Sequence, residues 1–199
     1  MAPPSIRAIP RYYTHEIFFV DFFGDELIVT VTSTPSVIKR WIRDVVFIHR
    51  RSSSYHPLVV GVGVQWTHAG HYSPRPKNYW PPRQIHSSYA FLRNSESTFV
   101  GVWNHHDAKI LKRCRHQLEI GQLLDVKRYV IDSECKSLRG RSFEKIVETC
   151  MGYQGVRLDR QISKSDWSVD NLCLGQILQA SLDAFVCFKL GVSARLWEV

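Results

Sequence analysis

His68 and His71, and then His105 and His106, are imidazole pairs of the kind that transition metals take as ligands. Their spacing fits no zinc pattern and no cluster of cysteines or carboxylates accompanies them, so they read as surface or loop histidines. The five cysteines (Cys114, Cys135, Cys150, Cys173 and Cys187) contain no C-x-x-C pair, and their odd number argues against a closed disulfide framework. Cys150, Cys173 and Cys187 stand among apolar helical positions and read as core residues. Cations gather at Lys109, Lys112, Arg113 and Arg115, again at Lys127 and Arg128, and at Lys136, Arg139 and Arg141. If folding brings them together they form a groove that tracks phosphates, and Tyr72, Tyr79 and Trp80 could stack on unpaired bases. The alternative is that these aromatics anchor their own loop to the core. A formal charge of +8, from 26 basic and 18 acidic residues, permits a polyanionic partner without requiring one.

Elements must position these groups. At 199 residues, 44% hydrophobic and 22% charged, the chain has the size and composition of one folded domain. We expect a flexible N-terminus over residues 1–14 and a single domain over residues 15–199. Residues 15–32 alternate apolar and polar around Gly24-Asp25, which predicts a hairpin. Ser33-Thr34-Pro35 then supplies a cap and a first-turn proline for a helix with Val37, Ile38, Trp41, Ile42, Val45 and Val46 at helical spacing, and with Lys39, Arg40 and Arg43 on its other face. Pro57–Trp66 is an almost unbroken valine-rich run, expected as the central strand. Residues 67–89 are proline-rich and aperiodic and predict a long irregular loop. A second buried strand is expected over Thr98–Trp103, a helix from Asn104 through Leu111, a strand over His116–Ile120, and helices around Phe143–Cys150 and Leu172–Leu190. Such alternation specifies an α/β sheet packed by helices. The first residues form no apolar signal core, and no run reaches the ~20 apolar residues of a membrane span. We expect an intracellular, soluble protein of the cytoplasm or nucleus.

Five segments, in this order and spacing, carry a resemblance: PLVVGVGVQW, TFVGVWNHHDAKIL, SFEKIVETCMG, SKSDW and QILQASLDAF. Together they resemble the plant Werner syndrome-like branch of the DnaQ-like 3′-5′ exonucleases. The likeness covers residues 57–191 apart from the loop, plus the N-terminal hairpin and helix typical of the plant members. It implies a ribonuclease H-like, three-layer α/β fold with a mixed central sheet flanked by helices, here with two strands after residue 66 replaced by the loop.

The resemblance also implies a site. In the family the first strand carries an Asp-x-Glu pair, an Asp follows the second strand, and a Tyr precedes a final Asp by four residues on the last helix. The acids hold two Mg or Mn ions, and the Tyr orients the attacking water. On that pattern the positions of the leading pair hold Gly63 and Gln65, and the Tyr position holds Gln179, while Asp107 and Asp183 are retained. Hydrolysis through two divalent ions needs several hard, anionic oxygen ligands. Glycine offers no ligand atom and a glutamine amide neutralises no charge, so two of the four carboxylates remain and metal binding should be weak. Lacking the family match, Asp107 would read as a first-turn helix acid and Asp183 as a solvated helix residue.

Three functions follow as expectations. The first is a protein that binds single-stranded RNA or DNA, with hydrolysis of 3′ ends weak or lost. The second is an active Mg- or Mn-dependent 3′-5′ exonuclease relying on Asp107 and Asp183, aided by Gln65, a nearby His105 or His106, or a neighbouring subunit. The third is an interaction subunit forming homo-oligomers or hetero-oligomers with intact paralogues, motivated by a sheet edge that the loop leaves open.

Overall fold

The computed structural model describes residues 3–9, 12–52, 56–67, 90–102, 105–113 and 117–199. Among these, the chain builds two three-stranded sheets. The first is antiparallel, with β1 (Ser5–Ala8) beside β2 (Glu16–Phe22) and β2 beside β3 (Asp25–Val31). The β2–β3 hairpin closes through Phe23 and Gly24, both at positive φ (55° and 97°), the backbone sign a two-residue turn needs to match strand twist. Residues 1–14, expected as a flexible N-terminus, instead contain β1, which pairs with β2 from Ser5 opposite Asp21 to Ala8 opposite Phe18.

Helix α1 (Pro35–Arg51) starts as its residues dictate, with extended Thr34 before it and Pro35 in its first turn. His49, Arg50 and Arg51 occupy its last turn, where the helix dipole favours positive charge. The chain then enters the second sheet, which holds β4 (Leu58–Gly61), β5 (Ser97–Gly101) and β6 (Leu123–Asp125) in that order, every pair parallel. This corrects two expectations. The middle strand is β5, buried along its whole length, and β4 lies beside it. The strand expected over His116–Ile120 lies at Leu123–Asp125, because Leu123 and Leu124 are the residues that register with Phe99 and Val100. Residues 68–89, holding nearly all of the predicted loop together with His68, His71, Tyr72, Tyr79 and Trp80, lie outside the described residues.

Helix α2 (His105–Arg113) follows β5, α3 (Phe143–Met151) and the single turn α4 (Arg160–Ser163) follow β6, and α5 (Leu174–Ser193) closes the fold. Ser142 caps α3 through the Lys145 amide, and Gly152 ends it at φ 74°, as a left-handed terminus prefers. The core joins Val20 and Phe22 of β2 to Val59, Val100, Ile146 and Val186. α5 packs close across β4 and β5, and glycines make that approach possible. A Cβ on Gly61 would stand 1.8 Å from the Ala184 carbonyl oxygen, and one on Gly191 2.9 Å from Val100 Cγ2.

Candidate functional site

The parallel sheet directs its functional positions to one end. In open α/β sheets, the crevice at the carboxyl ends of the strands is where loops and helix termini meet. β4 ends at Gly61, and just beyond it the Val62 amide donates to the Val100 carbonyl at 2.7 Å. Gly63 and Gln65 follow in the chain. α2 begins just past β5 and places Asp107, buried, in its first turn. Asp183 sits midway along α5, on the stretch that crosses β4.

Four of the five expected positions meet there. Gln65 Nε2 donates to Asp183 Oδ2 at 3.4 Å. A Cβ placed on Gly63 would lie 2.4 Å from the same oxygen, so the Asp183 carboxylate occupies the space beside that glycine. Asp107 is near enough for its charge to act on Asp183. Gln179 stands apart in its bonding: it is buried, and Nε2 donates to Ser163 Oγ at 2.8 Å, which ties α5 to α4.

Asp183 has its carboxyl pushed up to about 6, first by desolvation and then by the Asp107 charge, against a lowering contribution from the Cys187 thiol. Cys187, one turn further along α5, is buried with Sγ 3.9 Å from Asp183 Oδ1, and burial raises its own pKa well above the ordinary value. The sequence reading placed Cys187 in the core but missed its contact with Asp183, which the spacing of four on a helix could have flagged. Cys150 is half-buried, whereas Cys173, also expected in the core, is exposed at the start of α5, where its amide donates to Gln176 Oε1 at 2.9 Å.

A pair of Mg or Mn ions does not fit this arrangement. Two carboxylates are present where the chemistry calls for four ligands, and the nearest neutral side chain offers Asp183 an N–H rather than an oxygen. No group of three His, Cys, Asp or Glu side chains suited to a metal occurs among the described residues. Nor does any buried side-chain nitrogen or oxygen among them lack a hydrogen-bond partner, so no orphaned ligand atom waits for an ion.

The wall beside the site is a polar clamp that the sequence reading did not resolve. Thr67 Oγ1 donates to Asp166 Oδ1 and accepts from the Trp167 amide, both at 2.9 Å. Gln176 Nε2 donates to Ser165 Oγ and to the Asp166 carbonyl, also at 2.9 Å. The SKSDW segment thus locks the continuation of β4 to the start of α5. Of the expected phosphate-tracking cations, Lys109, Lys112 and Arg113 are exposed on α2. Helical spacing sets them on the side away from Asp107. Arg115 lies outside the described residues. Lys127 is buried, and Lys136 pairs with Glu134.

No family model and no curated protein matches the sequence. Among solved structures, the chain is similar to Escherichia coli RNase D, an exoribonuclease involved in structured RNA processing, with a TM-score of 0.51 and 18% identity over 82% of this chain and 44% of that one. The chain therefore spans less than half of that protein. It also aligns with the EXD2 exonuclease domain soaked in Mn, at 16% identity over 98% of this chain and 76% of that one, with a TM-score of 0.25. At such a score no correspondence is drawn from the second alignment. The RNase D likeness is one of fold, and it bears out the expected α/β, ribonuclease H-like fold, to which this chain's own strands add the N-terminal hairpin.

Proposed function

We propose that this chain binds single-stranded nucleic acid through a nuclease-type fold whose capacity to hydrolyse 3′ ends is weak or lost. The observation that carries this reading is the Asp183 carboxylate resting against Gly63, with the Gln65 amide donating to the same oxygen, Oδ2. Where the resemblance expects two further carboxylates and a pair of dications, one acid fills the space and a neutral amide bonds to it. Removing two charges from such a site leaves the repulsion between ions uncompensated. The fold and the balance of +8 support a polyanion as partner.

The test uses labelled single-stranded RNA and DNA. Retention of the oligonucleotide at low salt, declining as salt rises, together with an intact 3′ end in Mg²⁺ or Mn²⁺, supports the proposal. A ladder of shortened products that disappears in Asp183→Asn overturns it in favour of an active exonuclease. An oligonucleotide that is neither bound nor cut at low salt overturns both.

A second reading, assembly with copies of itself or with intact relatives, is favoured by one feature. Beside β4 lies an apolar groove of about 390 Å³ lined by Leu27, Val29, Trp41, Val45, Val60 and Phe185 among others. Size-exclusion chromatography with light scattering, with and without an intact paralogue, tests it. A strict monomer that ignores the paralogue counts against it.

A further inference from the structure

Helix α1 divides its surface unequally. At 100° per residue, Ile38, Trp41 and Val45 fall on one arc, and Trp41 and Val45 line the groove shared with β3 and β4. The opposite arc holds Lys39, Arg40, Arg43, Arg50 and Arg51 with Phe47 among them, all exposed. Asp44 is the one acid of the helix, at the margin of that arc, bonded to Arg43 at 3.3 Å. Lys39, Arg40 and Arg50 make no ion pair with a described residue, and the Arg51 guanidinium lies 4.7 Å from the centre of the Phe47 ring. Lys39 and Arg43 rise about 6 Å apart along the axis and Arg43 and Arg50 about 10 Å, with all three in a narrow angular strip.

We propose that this outer face of α1 is a binding surface for single-stranded nucleic acid, with the cation row on the phosphates and Phe47 stacked on a base. The proposal rests on the nucleic-acid-binding function given above, and it moves the contact away from the emptied acidic site and from α2. Charge complementarity supports it: five cations face solvent on one helix with a single acid beside them, and an exposed aromatic ring interrupts the row. Backbone-tracking cations with a stacking platform are the two components that hold unpaired strands without reading sequence. A bilayer surface is the competing partner for a basic amphipathic helix. It needs the apolar arc turned outward, whereas Trp41 and Val45 here line the groove; Trp41, 46% exposed, and Ile48, 64% exposed at the edge of that arc, are the reason to test lipid directly.

The experiment measures anisotropy of a labelled oligo-dT and a labelled oligo-U with the full chain at low and moderate salt. Lys39→Gln/Arg43→Gln/Arg50→Gln is expected to weaken binding about tenfold or more and to lower the log–log salt slope by about 2, at ~0.7 per phosphate contact for single strands. Phe47→Ala is expected to weaken it about fivefold or more at either salt. The equal-charge control Lys109→Gln/Lys112→Gln/Arg113→Gln should have a clearly smaller effect. All these side chains are exposed, so the variants should melt with the wild type, and Arg40→Gln/Arg51→Gln provides a second probe if the triple variant does not fold. If the wild type binds and the α1 variants bind equally well, or if the α2 control loses as much, this inference fails while the binding function stands. If the wild type binds no oligonucleotide, both fail. Tighter association with vesicles of equal parts phosphatidylglycerol and phosphatidylcholine than with oligonucleotide also overturns it.

Discussion

Asp183 is the residue on which the chemistry of this chain turns, because burial and the Asp107 charge both act on its carboxyl. Its carboxyl titrates at about 6, above its ordinary 3.8, so the folded chain holds that proton more tightly than the unfolded one. Stability from this group is therefore fully present below about pH 4 and is lost as pH rises through about 6. The full shift corresponds to about 3 kcal/mol; solvent reaching a half-buried side chain reduces this to about 2 kcal/mol. Asp183→Asn, which carries no charge, should melt higher than the wild type at pH 7, and the gap should close as pH falls toward 4. Parallel melting curves across that range would show that the carboxylate is not strained. Gly63→Asp makes the converse case. Its Cβ would arrive 2.4 Å from Asp183 Oδ2 and add a third acid, so at pH 7.5 we expect a loss on the order of 2 kcal/mol, partly recovered at pH 5, with no nuclease activity gained. A metal-dependent ladder from this single variant would mean the cradle is merely missing one ligand.

Among the elements, α5 decides where the site residues stand, and two of its contacts can be weighed. The Gly61 contact admits no side chain, because a Cβ there would meet the backbone oxygen of Ala184 at 1.8 Å and a backbone cannot swing aside as a side-chain tip can. Gly61→Ala should cost about 3 kcal/mol, measured by urea unfolding, and more than Gly140→Ala, where the added atom meets nothing within 4 Å. Equal losses at the two glycines would deny the close approach of helix and strand. The N-terminus of α5 depends on Gln176, which accepts from the Cys173 amide and donates to Ser165 and Asp166. Gln176→Ala should cost about 2 kcal/mol by the same measurement, and it should loosen the segment that carries Trp167, seen as faster amide exchange there.

For the molecule as a whole, the excess of basic charge bears on association with polyanions and says nothing of the fold. If three to five phosphates are engaged, the logarithm of the association constant should fall by about 2 to 4 per decade of salt. A flat salt dependence would place the binding energy elsewhere. Among the described residues, no helix is long and apolar enough to cross a membrane.

Local chemistry made much of this legible beforehand. The hairpin over residues 15–32, the start of α1 at Pro35, the buried run at β5 and the two C-terminal helices all follow from turn residues, caps and periodicity, which act over a few neighbours. The identities of Gly63 and Gln65 were likewise plain, and with them the absence of two carboxylates from those positions. What sequence alone misplaced depended on partners distant along the chain. β1 exists because β2 offers it an edge, and β6 sits at Leu123–Asp125 because β5 sets the register. Only the tertiary structure could show that the space beside Gly63 is taken up by a carboxylate 120 positions later in the chain, since no periodicity records how closely a helix will lie on a strand.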